Sequence, residues 1–503
     1  MRITNNMITG NTKSNINGNK INVDKYNTQM TTQKKISKAS ENPVIAIRAL
    51  RLGTSLSHIN QYVDNNIPDA EAWLDVTFTA LNNMYTLVSD IRTQCVNGST
   101  DTLETGDRET ILQSLKSLSE QVYTEGNADY AGRTIFTGYH TSSKLTFDTD
   151  EADTTYQINQ TFSYQDLEEK RYYTGDVEVP EVLCGDCPTM VQENTYDRLR
   201  LGYDTIGKVD AFSYYYFDDN NQKQVEKQEV ITFDTEADWE ADQLMTPAGL
   251  KKVDPDKVVF IKETGEFILG ENVAQIMKSK HASIDVTYTK TGFDAGELRP
   301  EYYFNCTDKT DPYTEENWVT YTKEDQQIQY TIAASTTLTV NTQASDVFNQ
   351  DIQRDTKEMI NIVQKSLNAE EKVNQIKKMM EEEKYSGTED QKRLQTYLDA
   401  AQKELDYAND NLQKTYEQYI TNFDNYMTQI NIAITNVGSM QNRLEMTKNR
   451  VENQQLTIKE LKSSNEDREI SDIIIDYTAA YNAYQASLTA AAKIGDQTLL
   501  NYL

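Results

Sequence analysis

Towards the end of the chain, apolar residues recur at three- and four-residue steps: Ile470, Ile474, Tyr477, Tyr481, Tyr484, Leu488 and Ala491. This spacing predicts an amphipathic helix with one apolar stripe, and Gly495 predicts a break before Leu499, Leu500 and Leu503. Chain ends fray unless something docks them, so a stripe placed here predicts a contact surface. The first forty residues carry a thinner pattern, with Ile3, Met7, Ile16, Ile21, Tyr26, Met30 and Ile36 spread among Asn, Thr, Lys and Gln. Such a segment is too polar to fold alone and would be ordered by a partner helix.

Between these ends the helical period is strong twice. Asn42 followed by Pro43 reads as an N-cap and first helical residue. The seam then runs through Leu56, Ile59, Val63, Ala70, Trp73, Leu81, Val88 and Cys95 to a stop at Gly98, with Pro68 expected to kink or divide it. A second helix is predicted from Asp107 as cap, with Ile111, Leu115, Leu118 and Val122 inward. The period returns at Asp351. After a turn at Tyr385–Thr388 it runs without a strong breaker from Glu389 to about Ser464, through Leu394, Ala401, Leu412, Tyr419, Ile420, Phe423, Met427, Ile430, Ile434, Val437, Leu444, Val451 and Ile458. A run of that length predicts coiled-coil-like packing.

From about 130 to 345 the pattern changes to short β-prone runs separated by Gly, Pro and Asp: TYQINQTFSYQD, AFSYYYFDD, KVVFIKE, ASIDVTYTK and QYTIAASTTLTVN. The predicted fold is therefore mainly α: an elongated antiparallel helical, coiled-coil-like rod formed by both chain ends, with a central β-rich insertion. The expected domains are a terminal helical region (1–42 and 465–503), a helical rod (43–140 and 346–464) and an acidic, surface-exposed insertion (141–345) of one or two subdomains.

Composition sharpens this picture. Hydrophobic residues make up 37% of 503 positions and the mean hydropathy is −0.70, as expected of long helices that bury only a seam. The formal net charge of −30 argues against nucleic acid, whose phosphates require Lys and Arg, and against anionic membrane surfaces. No apolar run approaches the length of a membrane span, and the opening residues lack a basic region followed by an apolar core. That predicts a protein without membrane insertion, either cytoplasmic or exported without a cleaved signal peptide.

Candidate chemistry is sparse. Cys184 and Cys187 form a single C-x-x-C, a weak metal candidate; a local disulfide or free thiols read better, since no second Cys or His pair lies nearby in sequence. Cys95 falls on an apolar stripe and reads as a small buried hydrophobe. His58, His140 and His281 are isolated, and no H-E-x-x-H, G-x-S-x-G, P-loop or G-x-G-x-x-G is present. No catalytic residue, cofactor or enzymatic role is predicted. A cytoplasmic coiled-coil scaffold is the expectation from the heptads alone.

Five separated stretches add a resemblance: MRITNNM at the start, KKISKASENPVIAIRALRL at 34–52, AEAWLD at 70–75, YAGRTIFTG at 130–138 and YQASLTAAAKIGDQTLLNYL at 484–503. Together they resemble the bacterial flagellins, and the wording of both ends is similar to the hook–filament junction branch of that family more than to the filament branch. The likeness covers about the first 140 and last 150 residues. Gln33 stands where the family usually has Gly, Glu41–Asn42 replaces a common Asp-Asp, and Pro68 interrupts a helix usually free of it.

The resemblance implies a structural, self-assembling subunit of an extracellular flagellum, exported without a cleaved signal peptide, whose terminal helices pair inside a tubular polymer. The implied partners are neighbouring copies of itself, a hook-side junction protein, flagellin, and an export chaperone on the C-terminal helix. The assembly interface would then comprise Ile3, Met7, Ile470, Ile474, Tyr477, Tyr481, Tyr484, Leu488, Ala491, Leu499, Leu500 and Leu503.

Overall fold

A computed structural model describes residues 5–100, 105–174, 177, 179, 192–218, 222–244, 253–311 and 313–496. Its helices are α1 (Asn5–Thr32), α2 (Pro43–Gln61), α3 (Ile67–Gly98), α4 (Thr105–Val122), α5 (Glu236–Leu244), α6 (Glu271–Ser279), α7 (Ala344–Val347), α8 (Gln350–Glu381), α9 (Thr388–Glu466) and α10 (Ile470–Asp496). Long helices near both ends thus bracket a central β-rich region, the predicted fold class. The chain divides into two compact units: Met1–Glu71, Tyr330–Leu338 and Gln441–Leu503 form the first, and Ala72–Gln329 with Thr339–Met440 the second.

In the first unit α2 starts as its sequence predicts, with the Asn42 Oδ1 accepting from the backbone N–H of Val44 (3.2 Å) and Ile45 (3.3 Å). Pro68 neither ends nor sharply divides the helical run. Proline cannot donate to the carbonyl four residues back and its ring crowds that carbonyl. The backbone widens into a π-helical turn at Tyr62–Asn66, where the Ile67 N–H reaches back to the Tyr62 carbonyl, and α3 continues beyond. A β-hairpin docks here, its tip at Ser335, and the Asn66 amide donates to the Thr331 carbonyl at 2.7 Å. The last part of α9 runs antiparallel to this stretch: Lys448 meets Glu71 at 2.9 Å, Gln455 meets Asn60 at 2.8 Å, and Asn465 donates to the Ile45 carbonyl at 3.0 Å.

The second unit combines helices with the sheets. Its strands, in chain order, are a short β1–β2 hairpin (Asp129–Tyr130, Arg133–Thr134), β3 (Glu151–Ser163), β4 (Glu168–Thr174), β5 (Gln192–Arg200), β6 (Lys208–Phe217), β7 (Lys223–Lys227), β8 (Val230–Phe233), β9 (Val258–Ile261), β10 (Glu266–Leu269), β11 (Ser283–Phe293), β12 (Asn305–Asp308) and β13 (Val319–Tyr321). The hairpin of the first unit is β14 (Gln329–Ala333) and β15 (Thr336–Thr339).

One sheet has the order β4-β5-β10-β9-β8, antiparallel except for the β8–β9 pair; the other is wholly antiparallel, β13-β12-β3-β11-β6-β7. Period-two alternation makes the second sheet two-faced: Tyr156, Ile158, Ile284, Val286 and Tyr288 are buried, whereas Asn159, Thr161 and Thr287 point outward.

Several local expectations are corrected. The strand-rich stretch also contains α5 and α6. Asp107 lies in the first turn of α4, which begins at Thr105, so it favours the helix N-terminus by charge and not as the cap. The long run, expected to end at about Ser464, continues to Glu466, and the break before α10 falls at 467–469. Along α9 Leu394 and Ala401 are buried first, and from Leu412 onward the buried positions are Leu412, Tyr416, Tyr419, Phe423, Tyr426, Ile430, Ala433, Val437, Leu444, Thr447 and Val451, while Ile420, Met427 and Ile434 lie half-buried on its flank. The seam keeps alternating three- and four-residue steps and recruits the Tyr rings, whose stems are apolar.

Candidate functional site: the paired chain ends

The polar N-terminal segment is a helix because α10 lies along it. As α1 is followed backwards, its partner advances: the Lys34 backbone bridges Asp467, and the Asn19 amide donates to the Ala483 carbonyl at 3.3 Å, so the pair is antiparallel. The seam is thin. On α1 it is made by Ile8, Thr12, Ile16, Asn19, Val23, Tyr26 and Met30, all half-buried. On α10 it is made by Ile473, which is fully buried, then Tyr477, Ala480, Tyr484, Ser487 and Ala491.

A clasp closes the far end of the pair. The Gln33 carbonyl accepts from the Arg468 N–H at 2.9 Å, and the Lys35 N–H donates to the Glu466 carbonyl at 2.7 Å. Arg468 also reaches the Gln29 amide oxygen at 2.9 Å, pairs with Asp476 and stands 5.7 Å from the Tyr26 ring centre. The Lys34 ammonium pairs with Asp467 and Glu466; its hydrogen bond to Asp467 raises the ammonium and lowers the carboxyl. Gln33 sits at φ 54°, a left-handed conformation that suits glycine. The backbone here takes a glycine-type turn although the residue is a glutamine.

The stripe read from the sequence divides in two. Tyr477, Tyr484 and Ala491 face α1. Ile470, Ile474, Tyr481 and Leu488 remain exposed, at 50%, 47%, 42% and 38%, with Ile475 beside them at 66%. Tyr477 and Tyr481 stack with ring centres 6.1 Å apart, joining the two faces. On α1, Met7 is also exposed, and Ile21 with it. Ile3, Leu499, Leu500 and Leu503 lie outside the described residues, as do Cys184 and Cys187. The sequence reading missed Ile473, whose three- and four-step continuation through Tyr477 and Ala480 was the available signal, and it missed the clasp, which has no periodic signature.

A second polar concentration lies within the second unit, where β4, β5 and β10 meet α8 and α9. Arg198 on β5 is 3% exposed and binds Glu168 (2.9 Å), Glu266 (3.0 Å) and Glu358 (2.8 Å). Two residues along the strand, Arg200 binds Asp355 and Glu358, and Lys170 binds Glu266 (3.1 Å) and Glu358 (3.0 Å). The Tyr419 hydroxyl donates to Glu358 at 2.6 Å, and Tyr426 to Asp355 at 2.7 Å.

Burial alone would raise Glu358, but Arg198, Lys170 and Arg200 around it hold the carboxyl well below its ordinary value; Glu266 is lowered against burial by Lys170 and Arg198. Burial drives Tyr419 and Tyr426 well above the usual phenol value, so both remain donors. Alternating Arg198 and Arg200 on one strand face, and Asp355 and Glu358 one helical turn apart, were readable as pairs but not as partners.

Cys95 and Cys306 are buried free thiols, Cys95 with its sulfur 3.2 Å from that of Met359; burial pushes the Cys95 thiol up to about 12 and Cys306 higher still. Among the described residues no group of three or more His, Cys, Asp or Glu side chains could hold a metal ion, and no helix is long and apolar enough to cross a membrane.

Two ends of one chain folded as an antiparallel helix pair around a long intervening region define a class of helical, insertion-bearing subunit. Residues 3–141 match the bacterial flagellin N-terminal helical region, and 420–503 match the bacterial flagellin C-terminal helical region. Both helical regions of the flagellin family are thus present, in order, at the two ends of this chain.

Flagellar hook-associated protein 3 of Escherichia coli strain K12 is 28% identical over 120 residues, spanning 24% of this chain and 38% of that protein's length. FlgL from Xanthomonas campestris is similar in structure, with 10% identity, a TM-score of 0.31 and coverage of 82% of this chain and 99% of that one. Flagellar hook-associated protein 3 from Legionella pneumophila also aligns, with 10% identity, a TM-score of 0.29 and coverage of 82% of this chain and 98% of that one.

Proposed function

We propose that this chain is a structural subunit of the bacterial flagellum, an adaptor at the hook–filament junction that joins its neighbours through its paired ends. The observation that carries the proposal is the α1–α10 pair within the two matched flagellin regions, with Ile470, Ile474, Ile475, Tyr481 and Leu488 left bare on its outer side. Single exposed apolar residues are ordinary, but a row of them along one helix calls for a partner.

Neighbouring copies cover that row in the polymer, with a hook-side junction protein at one end of the ring and flagellin at the other. Before assembly an export chaperone covers α10. Ile3, Met7, Leu499, Leu500 and Leu503 extend the same interface. The terminal region (1–42, 465–503) carries assembly, the rod (43–140, 346–464) carries load, and the insertion (141–345) faces outward on an extracellular flagellum. The role is structural and not catalytic.

Antibody labelling along intact flagella tests the placement: decoration confined to one narrow zone beside the hook is expected. Label along the whole filament would replace the junction role with that of a filament flagellin, the second reading that the matched regions favour. Deleting Ile470–Leu503 is expected to leave the second unit folded and abolish incorporation; normal incorporation of the truncated chain would sink the assembly role.

A further inference from the structure

Within the second unit, α8, α5 and the five-stranded sheet enclose a cleft of about 530 Å³, a size that suits a small molecule. Seven cationic and seven carboxylate side chains line it, so the cleft is neutral inside a chain of net charge −30. The balance is local as well as total. Lys365 pairs with Glu236 at 2.7 Å, Lys372 with Glu404 at 3.0 Å, and Lys357 with Asp204 at 3.2 Å.

Against this matched background a few polar atoms stand out. Arg354 is 8% exposed; its two terminal nitrogens engage Asp204 and the Thr264 carbonyl, yet its buried Nε has no hydrogen-bond partner. The Thr264 hydroxyl, on the same side, is buried and unpartnered, and so is the Tyr172 hydroxyl on the β4 wall. Each of these can donate, and a buried donor without a partner is destabilising until an acceptor reaches it. Burial also lowers the Arg354 guanidinium despite Asp204 beside it, so its charge is only partly compensated. Carboxylates gather elsewhere in the lining: Glu236, which pairs with Lys365 and whose backbone N–H donates to Glu263, and Glu240 one turn further along α5.

We propose that this cleft binds a small zwitterion, an α-amino acid or short peptide, with its carboxylate on the Arg354 Nε and Thr264 hydroxyl and its ammonium towards Glu236, Glu240 and Glu263. The donors ask for an acceptor, the neutral lining disfavours a ligand with net charge, and Glu236, Glu240 and Glu263 outnumber the one lysine, Lys365, paired among them. This site is independent of the assembly role and stands or falls without it.

The test uses the full chain. The L-amino acids are titrated one at a time by calorimetry and ligand-observed NMR. At least one is expected to bind with a Kd of about 1 mM or tighter. Its amide, lacking the carboxylate, and its desamino acid, lacking the ammonium, are expected to bind at least about tenfold more weakly, the loss of one charged hydrogen bond. Arg354→Lys keeps a cation beside Asp204 but lacks Nε, and Thr264→Val removes the hydroxyl; each is expected to weaken binding about tenfold. Should either variant fail to fold by circular dichroism, the analogue series on the native chain decides alone. Binding by none of the amino acids, equal binding of the one-charge analogues, or crystals grown with the amino acid that hold only water at Arg354 Nε would each overturn the proposal.

Discussion

The paired ends and the ionic centre of the second unit solve opposite problems. Around Arg198 the chain has buried charge and then matched it from three strands and two helices, so that these charges are answered within the one chain. Along the α1–α10 pair it has done the reverse: Asn19 and Ser487 sit in the seam with Ile473, while Ile470, Ile474 and Ile475 face out. The first arrangement fixes a single fold within one subunit; the second leaves surface energy to be recovered when another helix arrives. The difference teaches that exposed Ile474 and buried Glu358 are each intelligible only through what surrounds them.

That contrast can be broken at its strong side first. Arg198→Met leaves Glu168, Glu266 and Glu358 without their shared cation, and the second unit is expected to lose about 3–5 kcal/mol in urea unfolding; a loss below about 1 kcal/mol would mean that the carboxylates rearrange freely. Next, Ile473→Ala should cost the α1–α10 pair about 2–5 kcal/mol, read as faster amide exchange in α10. The neighbouring Ile474→Ala should change exchange by no more than about 0.5 kcal/mol, yet reduce incorporation into flagella. Equal effects at both positions would erase the distinction between seam and outer face.

Acid separates the regions in a third way. Glu358 and Glu266 ionise more readily when folded, so the unfolded chain binds more protons at low pH and stability rises with pH. Their contribution is present in full above about pH 5 and is lost as pH falls through and below about pH 4. Glu297, Glu301 and Asp351, raised by burial, work against this and favour the acid side. Urea midpoints measured across this range are expected to fall on acidification, and to fall less in Glu358→Gln. The smallest effect concerns the clasp: Gln33→Gly should stabilise the pair by about 1 kcal/mol by relieving the left-handed backbone.

Much of the helical frame was legible because periodicity is a local signal. Asn42, Pro43 and Gly98 mark real helix ends, and α9 runs within two residues of its predicted limits. What was not legible depended on partners distant in sequence. A stripe that holds seven apolar positions cannot say which of them will face α1, and the structure turned the face by about one residue, putting Ile473 inside. The π-turn before Pro68 was equally hidden, since the sequence names the obstacle but not the detour. The cleft at Arg354 had no signal, because its walls come from three helices, loops and strands drawn from residues 170 to 411.

The clasp has a mechanical consequence. Because α1 and α10 run in opposite directions, Asn5 and Asp496 lie at the open end of the pair, while Lys34 and Asp467 hold the other. Tension applied to the two ends of the chain therefore loads the seam one rung at a time, like opening a zip, and never shears all rungs together. Such a joint yields at low force, rung by rung, until the clasp at Lys34 and Asp467 takes the load.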